Sequence, residues 1–483
     1  MKPPLRLKRF ALTLGVIACS ALSTFAQLTG TYTIGGSIPD YTTFTLAVAD
    51  LAAVGVSGPV VFDVRDGTYP EQISIAAVTG ASATNTITFQ SESGDSTAVI
   101  LTYTPAVSFN YTVRYNGCDY VTFSTMTIRA IGATYSTVID ILSSATNNTV
   151  SNCLLEGSVT TSTSTNLAVI YEGSGTNSNF SFINNIITKG SYGLYFSGTT
   201  SGLVINENDF LDQYYKGIYL YQTNAVSVQS NNVSSNTNYT SYHGIEMQYC
   251  DNSIQVLKNV IDITKGRYGL YMYYCDGTSG NRGLIGNNFI HMGGTSGTAY
   301  GIYTYRCNYE NFYYNTISVT RSGTGNRAFY QGYTASGTSN FQLQNNIFSN
   351  LGGGYAIYVD YTPSINVSNF NDFYTSGSNL GYWSGNRTSL SSWQSASTKD
   401  ANSISVDPEF VSATDLHTQA YLADNLGFPV AEISDDIDGT TRHLVTPDMG
   451  ADEWATPAND AGVTSINQAL TYCITNDSVY VTI

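Results

Sequence analysis

Along most of the chain, apolar residues come in runs of three to six that alternate with polar ones, separated by Gly, Asn, Ser and Thr. Alternation with period two predicts short strands with one face buried. One such run returns as Gly193-Leu194-Tyr195-Phe196, Gly217-Ile218-Tyr219-Leu220, Gly244-Ile245-Glu246-Met247, Gly269-Leu270-Tyr271-Met272, Gly301-Ile302-Tyr303-Thr304, Ala328-Phe329-Tyr330-Gln331 and Ala356-Ile357-Tyr358-Val359. In phase with it runs a second motif, Asn then any residue then an aliphatic or Phe. It starts at Asn152, Asn184, Asn208, Asn231, Asn287, Asn315, Asn345 and Asn371, and Lys258-Asn259-Val260 carries Lys in the Asn slot. Successive starts lie 23 to 32 residues apart.

A period of that size, built from short strands and small-residue turns, is one coil of a solenoid. A leucine-rich repeat would need an L-x-x-L-x-L frame, which is missing, and a propeller blade needs about 40 residues or more. The sequence therefore predicts an all-β chain, a right-handed parallel β-helix. Equivalent residues then stack about 4.8 Å apart, and a column of inward Asn amides can hydrogen-bond from coil to coil. Upstream the pattern is weaker. Phe44, Ala47, Val48, Leu51 and Ala52 are spaced as on a helix, with Asp40 or Thr42 as N-cap, and such a helix would cover the open end of the stack. The expected organisation is a cap and first strands over 27–84, coils over 85–400, a closing segment over 401–455, and a linker with the start of a β-sandwich module over 456–483. Two strands make no stable domain, so further modules are expected downstream.

Residues 1–26 read as a secretory leader, with Lys2, Arg6, Lys8 and Arg9 before an apolar stretch and Thr24 and Ala26 ahead of the cleavage point. No later run is long enough to span a membrane. A secreted or outer-surface location, a monomer and no membrane span are expected. Without the leader, 15 basic residues face 35 acidic ones. That balance argues against nucleic acid, which wants a basic face.

Chemistry enters at four places. The Tyr of the repeated strand (Tyr195, Tyr219, Tyr271, Tyr303, Tyr330, Tyr358) should point outward once per coil, with Glu246 interrupting and Tyr221, Tyr273 and Tyr305 two residues on. Phenols in such numbers suit the apolar faces of sugar rings; they also simply stack and stabilise a sheet. Between residues 258 and 327 lie seven of the 15 basic residues against three acidic ones. Lys265, Arg267, Arg282, His291 and Arg306, with Tyr271, could form a groove for β-elimination on a uronate, or be solvated turn residues on several sides. Cys118, Cys250, Cys275 and Cys307 share one repeat position, where Cys250–Cys275 or Cys275–Cys307 lie in disulfide range or form a stack of small thiols. Near the end, Asp435, Asp436, Asp438 and Asp448 accompany Arg442. A salt-bridged cap is the favoured reading there, and calcium held by Asp436, Asp438 and Asp448 the weaker one.

The run Gly58-Pro59-Val60-Val61-Phe62-Asp63-Val64, then Asp66-Gly67-Thr68-Tyr69 and Gln72-Ile73, resembles the N-terminal cap of pectin-lyase-like β-helix proteins. Asp407-Pro408-Glu409-Phe410, Asp438-Gly439 with Arg442, and Asp448-Met449-Gly450-Ala451-Asp452-Glu453 resemble the closing segment of large secreted β-helix proteins of Bacteroidetes-type bacteria. The resemblance implies secretion and, in similar proteins, a C-terminal sorting domain for type IX export. It leaves activity open, because the fold hosts lyases, hydrolases, esterases, adhesins and binding proteins. The acidic column of a pectate-lyase-like site is missing from the repeat, as are the stations of polygalacturonase-like hydrolases. The expectation is a non-catalytic, adhesin-like protein that binds a polysaccharide or cell-surface glycan through its Tyr-rich face. A polysaccharide lyase or glycoside hydrolase at 258–327 and a structural spacer are the alternatives.

Overall fold

The computed structural model describes residues 26–333 and 337–454. Each coil gives one strand to each of three parallel sheets, of 13, 12 and 13 strands in the order the chain visits them. The first runs from Leu28–Ile34 to Ile365–Asn369, the second from Gly67–Tyr69 to Asp372–Thr375, and the third from Ile73–Ala76 to Gly381–Trp383, with Asn386–Arg387 added antiparallel as its thirteenth strand. This is the right-handed parallel β-helix that the repeat predicts. Inward residues stack in columns, as Phe62, Phe89 and Phe123 do at 4.7 and 5.0 Å, and form one continuous core.

The helix Phe44–Val54 covers the first coils and buries Phe44, Ala47 and Leu51. Its N-cap is Thr43, whose hydroxyl accepts from the Leu46 N–H, not the expected Asp40 or Thr42. At the far end the helix Leu390–Ser397 places Trp393 over Gly381 and Phe373. The cap at that end is therefore this helix. Residues 401–454 run back along the corner between the first and second sheets, where Asn345, Tyr314, Asn287 and Lys258 bond to Phe428 and Asp435. The leader and the β-sandwich start lie outside the described residues.

The Asn column forms, with a corrected register. Each amide accepts the backbone N–H, and in most coils also the Nδ2–H, of its predecessor through Asn185, Asn208, Asn231, Asn259, Asn288, Asn315, Asn346 and Asn371. Asn259 fills the ladder, so Lys258 is no exception to it. Lys258 instead occupies the preceding turn position, which is left-handed in Asn184, Lys258, Asn287 and Asn345 alike. Asn doublets conceal this one-residue offset.

The recurring Gly before the Tyr strand also has a physical cause. A Cβ on Gly217, Gly244 or Gly269 would lie 2.6–2.7 Å from the carbonyl oxygen of the next coil.

Candidate functional site

The outer face of the third sheet carries the tyrosines. Strand register puts Tyr171, Tyr195, Tyr219, Glu246, Tyr271, Tyr303, Tyr330, Tyr358 and Tyr382 in one column. Their rings stack at 4.9 Å for Tyr195–Tyr219, 5.1 Å for Tyr271–Tyr303 and 4.3 Å for Tyr358–Tyr382, with planes 25°, 17° and 5° apart. Rings one rung apart and nearly parallel spend their faces on each other. Edges and hydroxyls meet the solvent, and the expected tiling of ring faces is not formed along the stack. The hydroxyls of Tyr195, Tyr219, Tyr271 and Tyr303 bond to no protein group among the described residues, whereas Tyr330 donates to Asp360 at 2.9 Å. Tyr273 and Tyr305 form a second rank, stacked at 5.2 Å.

The column is broken at Glu246. Its carboxylate takes Lys216 Nζ at 2.7 Å, the His243 Nδ1 and Gln248 Nε2 at 2.5 Å. The side chains of Lys216 and Glu246 are 8% and 3% exposed, which makes this a buried ion pair inside an aromatic surface. Lys216 and His243 occupy the same register position, just ahead of the motif Gly. Lys216 lies over the Tyr219 ring at 4.3 Å and the Tyr215 ring at 4.8 Å, and His243 meets Tyr268 edge-on at 4.6 Å. Burial alone would raise the Glu246 carboxyl, but the His243 hydrogen bond and the neighbouring positive charge outweigh it and hold it at about 2. Burial pushes both Lys216 and His243 below their ordinary values. Three coils on, Arg327 lies 3.7 and 3.6 Å over Tyr330 and Tyr358. Sequence reasoning noted the Glu246 interruption but missed its partners; the signal was an ionisable residue at the slot before Gly217 and before Gly244.

The basic residues of 258–327 do not gather in one groove. Lys265 bonds to Asn238 and Arg267 lies over Tyr268 at the corner between the second and third sheets. Arg282 and Arg306 sit at the opposite corner, on Asn311 and Tyr274. His291 is buried on the second sheet between Asp262 and Thr320. Arg321 is fully buried on backbone carbonyls.

The C-terminal acidic cluster is also rearranged. Arg442 pairs with Glu453 at 3.2 Å and Asn287 at 2.8 Å and reaches Asp448 and Asp452 only through their backbone carbonyls, not their carboxylates. Asp436 and Asp448 bind backbone N–H groups. His417, Asp438 and Asp452 are the group whose donor atoms lie within 4.8 Å of one another, so of the three aspartates expected to hold calcium only Asp438 joins it. His417 is already bonded through both ring nitrogens, to Asp415 and Asp438.

A second cluster lies inside the coil. Cys250, Cys275 and Cys307 are thiols stacked on consecutive coils at the corner between the third and first sheets, all fully buried. The Cys275 N–H donates to Cys307 Sγ at 3.4 Å. Beside them, Glu310 stands in an inward column otherwise held by Phe180, Leu203, Val226, Ile254 and Phe341. Neither of its carboxyl oxygens has a hydrogen-bond partner. Gly283, one coil earlier, leaves the room: a Cβ there would lie 1.8 Å from Glu310 Oε2.

Residues 63–320 match the family model described as periplasmic copper-binding protein (NosD). No curated protein matches. Among solved structures, the chain is similar to the mannuronan C-5 epimerase AlgE6 A-module of Azotobacter vinelandii (12% identity, 75% of this chain and 95% of that one, TM-score 0.41). It is also similar to pectate lyase Pel9A (14%, 89% and 98%, 0.43) and to XylC in complex with xylose (9%, 88% and 98%, 0.49).

Proposed function

The chain belongs to the periplasmic copper-binding protein (NosD) family, and from that premise we propose that it works outside the cytoplasm as a binding protein whose Tyr-rich face holds an extended glycan. The leader at residues 1–26 and a secreted or outer-surface place belong to the same proposal. The observation that carries it is the face around Glu246. Among the described residues, phenol hydroxyls without protein partners stand at the two rungs on either side of a buried Lys216–Glu246–His243 cluster, Tyr195 and Tyr219 on one side and Tyr271 and Tyr303 on the other. A hydroxyl-rich polymer lying along the helix axis would meet free phenol hydroxyls on both sides of the cluster, with Tyr219 and Tyr271 flanking the break. The cluster fixes the rings beside it instead of meeting the ligand as free charge, since Lys216 is committed to Glu246. The dispersal of Lys265, Arg267, Arg282, His291 and Arg306 favours binding over a lyase built on those residues.

A glycan array with the purified mature chain, read with and without calcium, tests this. Retention of an extended polysaccharide that is lost in Tyr271→Ala and Tyr303→Ala, with no unsaturated sugar released, supports the reading. No retention on any glycan sinks it.

A further inference from the structure

We propose that Asp262, His291 and Thr320 form a hydrolytic site for carboxylic esters on the outer face of the second sheet, with Thr320 as the nucleophile. The proposal does not rest on glycan binding at the Tyr face.

The three residues come from three consecutive coils. Asp262 and His291 are register partners on neighbouring strands, and Thr320 directly follows the next strand, Thr316–Val319. His291 Nδ1 lies 2.7 Å from Asp262 Oδ1, and its Nε2 lies 2.9 Å from Thr320 Oγ1. A carboxylate only accepts hydrogen bonds, so the ring proton sits on Nδ1 and the Nε2 lone pair faces the threonine hydroxyl. A nucleophile, its base and the group that orients the base thus stand in order, each within hydrogen-bond reach of the next.

The sequence makes room for this chain. The nearest rungs of the same outward column hold Leu211, Ser234, Ser318 and Ser349, so the acid and the histidine depart from neutral neighbours. Gly293 stands two residues after His291, and its backbone is not left-handed, so the turn itself does not call for glycine there. A Cβ at that place would lie 2.8 Å from His291 Cε1 and 3.2 Å from Nε2, in the path of the ring towards Thr320.

A second observation is Arg321, the next residue after the proposed nucleophile. It is fully buried, its Nε and Nη1 donate to the carbonyls of Gly293 and Gly266 at 2.7 and 2.5 Å, and its Nη2 has no partner. Among the described residues no carboxylate pairs with it. A buried cation without a counter-charge favours negative charge that develops beside it.

The hydroxyl is open to a substrate. Thr320 is partly exposed, and the side chains of Asp262 and His291 are 31% and 6% exposed. Residues 294–297 and 322–325, in the turns that follow His291 and Thr320, are exposed and include no side chain larger than threonine. Such a surface suits a short acyl group carried on a large alcohol. Thr320 Oγ1 would bond to the ester carbonyl carbon as its proton passes to His291 Nε2, and Asp262 would hold the imidazolium. The carbon–oxygen bond to the alcohol then breaks, and the alcohol leaves with that proton. Water, deprotonated by the same nitrogen, cleaves the acyl-threonine, so that ester and water give acid and alcohol and Thr320 is restored.

The test is hydrolysis of p-nitrophenyl acetate by the full mature chain, with acid-quenched samples mapped by mass spectrometry. Nitrophenol should be released over many turnovers, and an acetyl group should be trapped on Thr320. Thr320→Val keeps the shape of the side chain and should abolish both signals, whereas Thr320→Ser should retain both. His291→Gln should lower turnover about 100- to 10,000-fold, and His443→Gln, at an exposed histidine elsewhere, should leave it unchanged. Melting curves check that the variants fold. No turnover above buffer by the parent chain, equal turnover by Thr320→Val, or acetyl found only on other residues would each overturn the proposal.

Discussion

Lys216 Nζ lies 2.7 Å from Glu246 Oε2 across neighbouring coils, and both side chains are less than a tenth exposed. Removing one partner leaves the other charge buried and alone. Glu246→Ala should cost about 3–5 kcal/mol, and replacing both residues with Met far less. Thermal or urea melts of the single and double variants check this. The ionised Glu246 also sets an acid limit. Its contribution is complete above its ordinary value of 4.5 and is lost as pH falls towards about 2, so the parent chain should lose more stability over that window than the double variant.

The Asn ladder predicts a contrast between adjacent residues. Asn259→Ala strips Asn231 of the acceptor for its N–H and Nδ2 and should cost about 1–3 kcal/mol per buried group left unpaired. Lys258→Ala removes a partly exposed pair with Asp435 and should cost about 1 kcal/mol or less. Equal losses in denaturation would mean that the register is wrong.

Gly269→Ala would place a Cβ 2.4 Å from Ile290 Cγ2 and 2.7 Å from the Gly301 carbonyl oxygen. The coils must separate locally, at a cost of about 1–3 kcal/mol. Ala356→Gly, at the matching place where a methyl already fits, should cost about 0.5–1 kcal/mol through chain entropy. Melting temperatures of the two variants separate crowding from flexibility.

His417 should govern the alkaline side of the C-terminal strap. Burial would lower its imidazole, but the hydrogen bonds it donates to Asp415 and Asp438 outweigh this and raise it to about 9. A raised value means that its contribution is complete below 6.5 and disappears as pH rises through about 9. Hydrogen exchange in residues 410–454 should therefore quicken between pH 7 and 10, after correction for intrinsic rates, and His417→Gln should flatten that dependence.

The coil could be read from the sequence because its cause is local. Leu194 and Phe196, or Leu270 and Met272, alternate with an outward Tyr whatever the rest of the chain does, and a repeat of such strands stacks in one way. The turns were less legible. Their lengths vary, so nothing in Asn287-Asn288 or Lys258-Asn259 says which residue enters the ladder; the bonding partner one coil away decides it. The same limit hid Thr43 as the N-cap.

The sequence by itself determined the parallel β-helix, the Asn and Tyr columns and the small-residue corners, since each follows from a periodicity of burial along the chain. The tertiary structure decided everything that depends on which residues of different coils share a face. It turned the tyrosine faces onto each other, joined Lys216 and His243 to Glu246, and spread the basic residues of 258–327 around the solenoid. It sent residues 401–454 back along one corner and set Glu310 against Gly283 beside three thiols. Apart from His243–Glu246, which share a strand, those relations rest on contacts between residues some 20 to 180 positions apart, where turn lengths and not alternation set who meets whom.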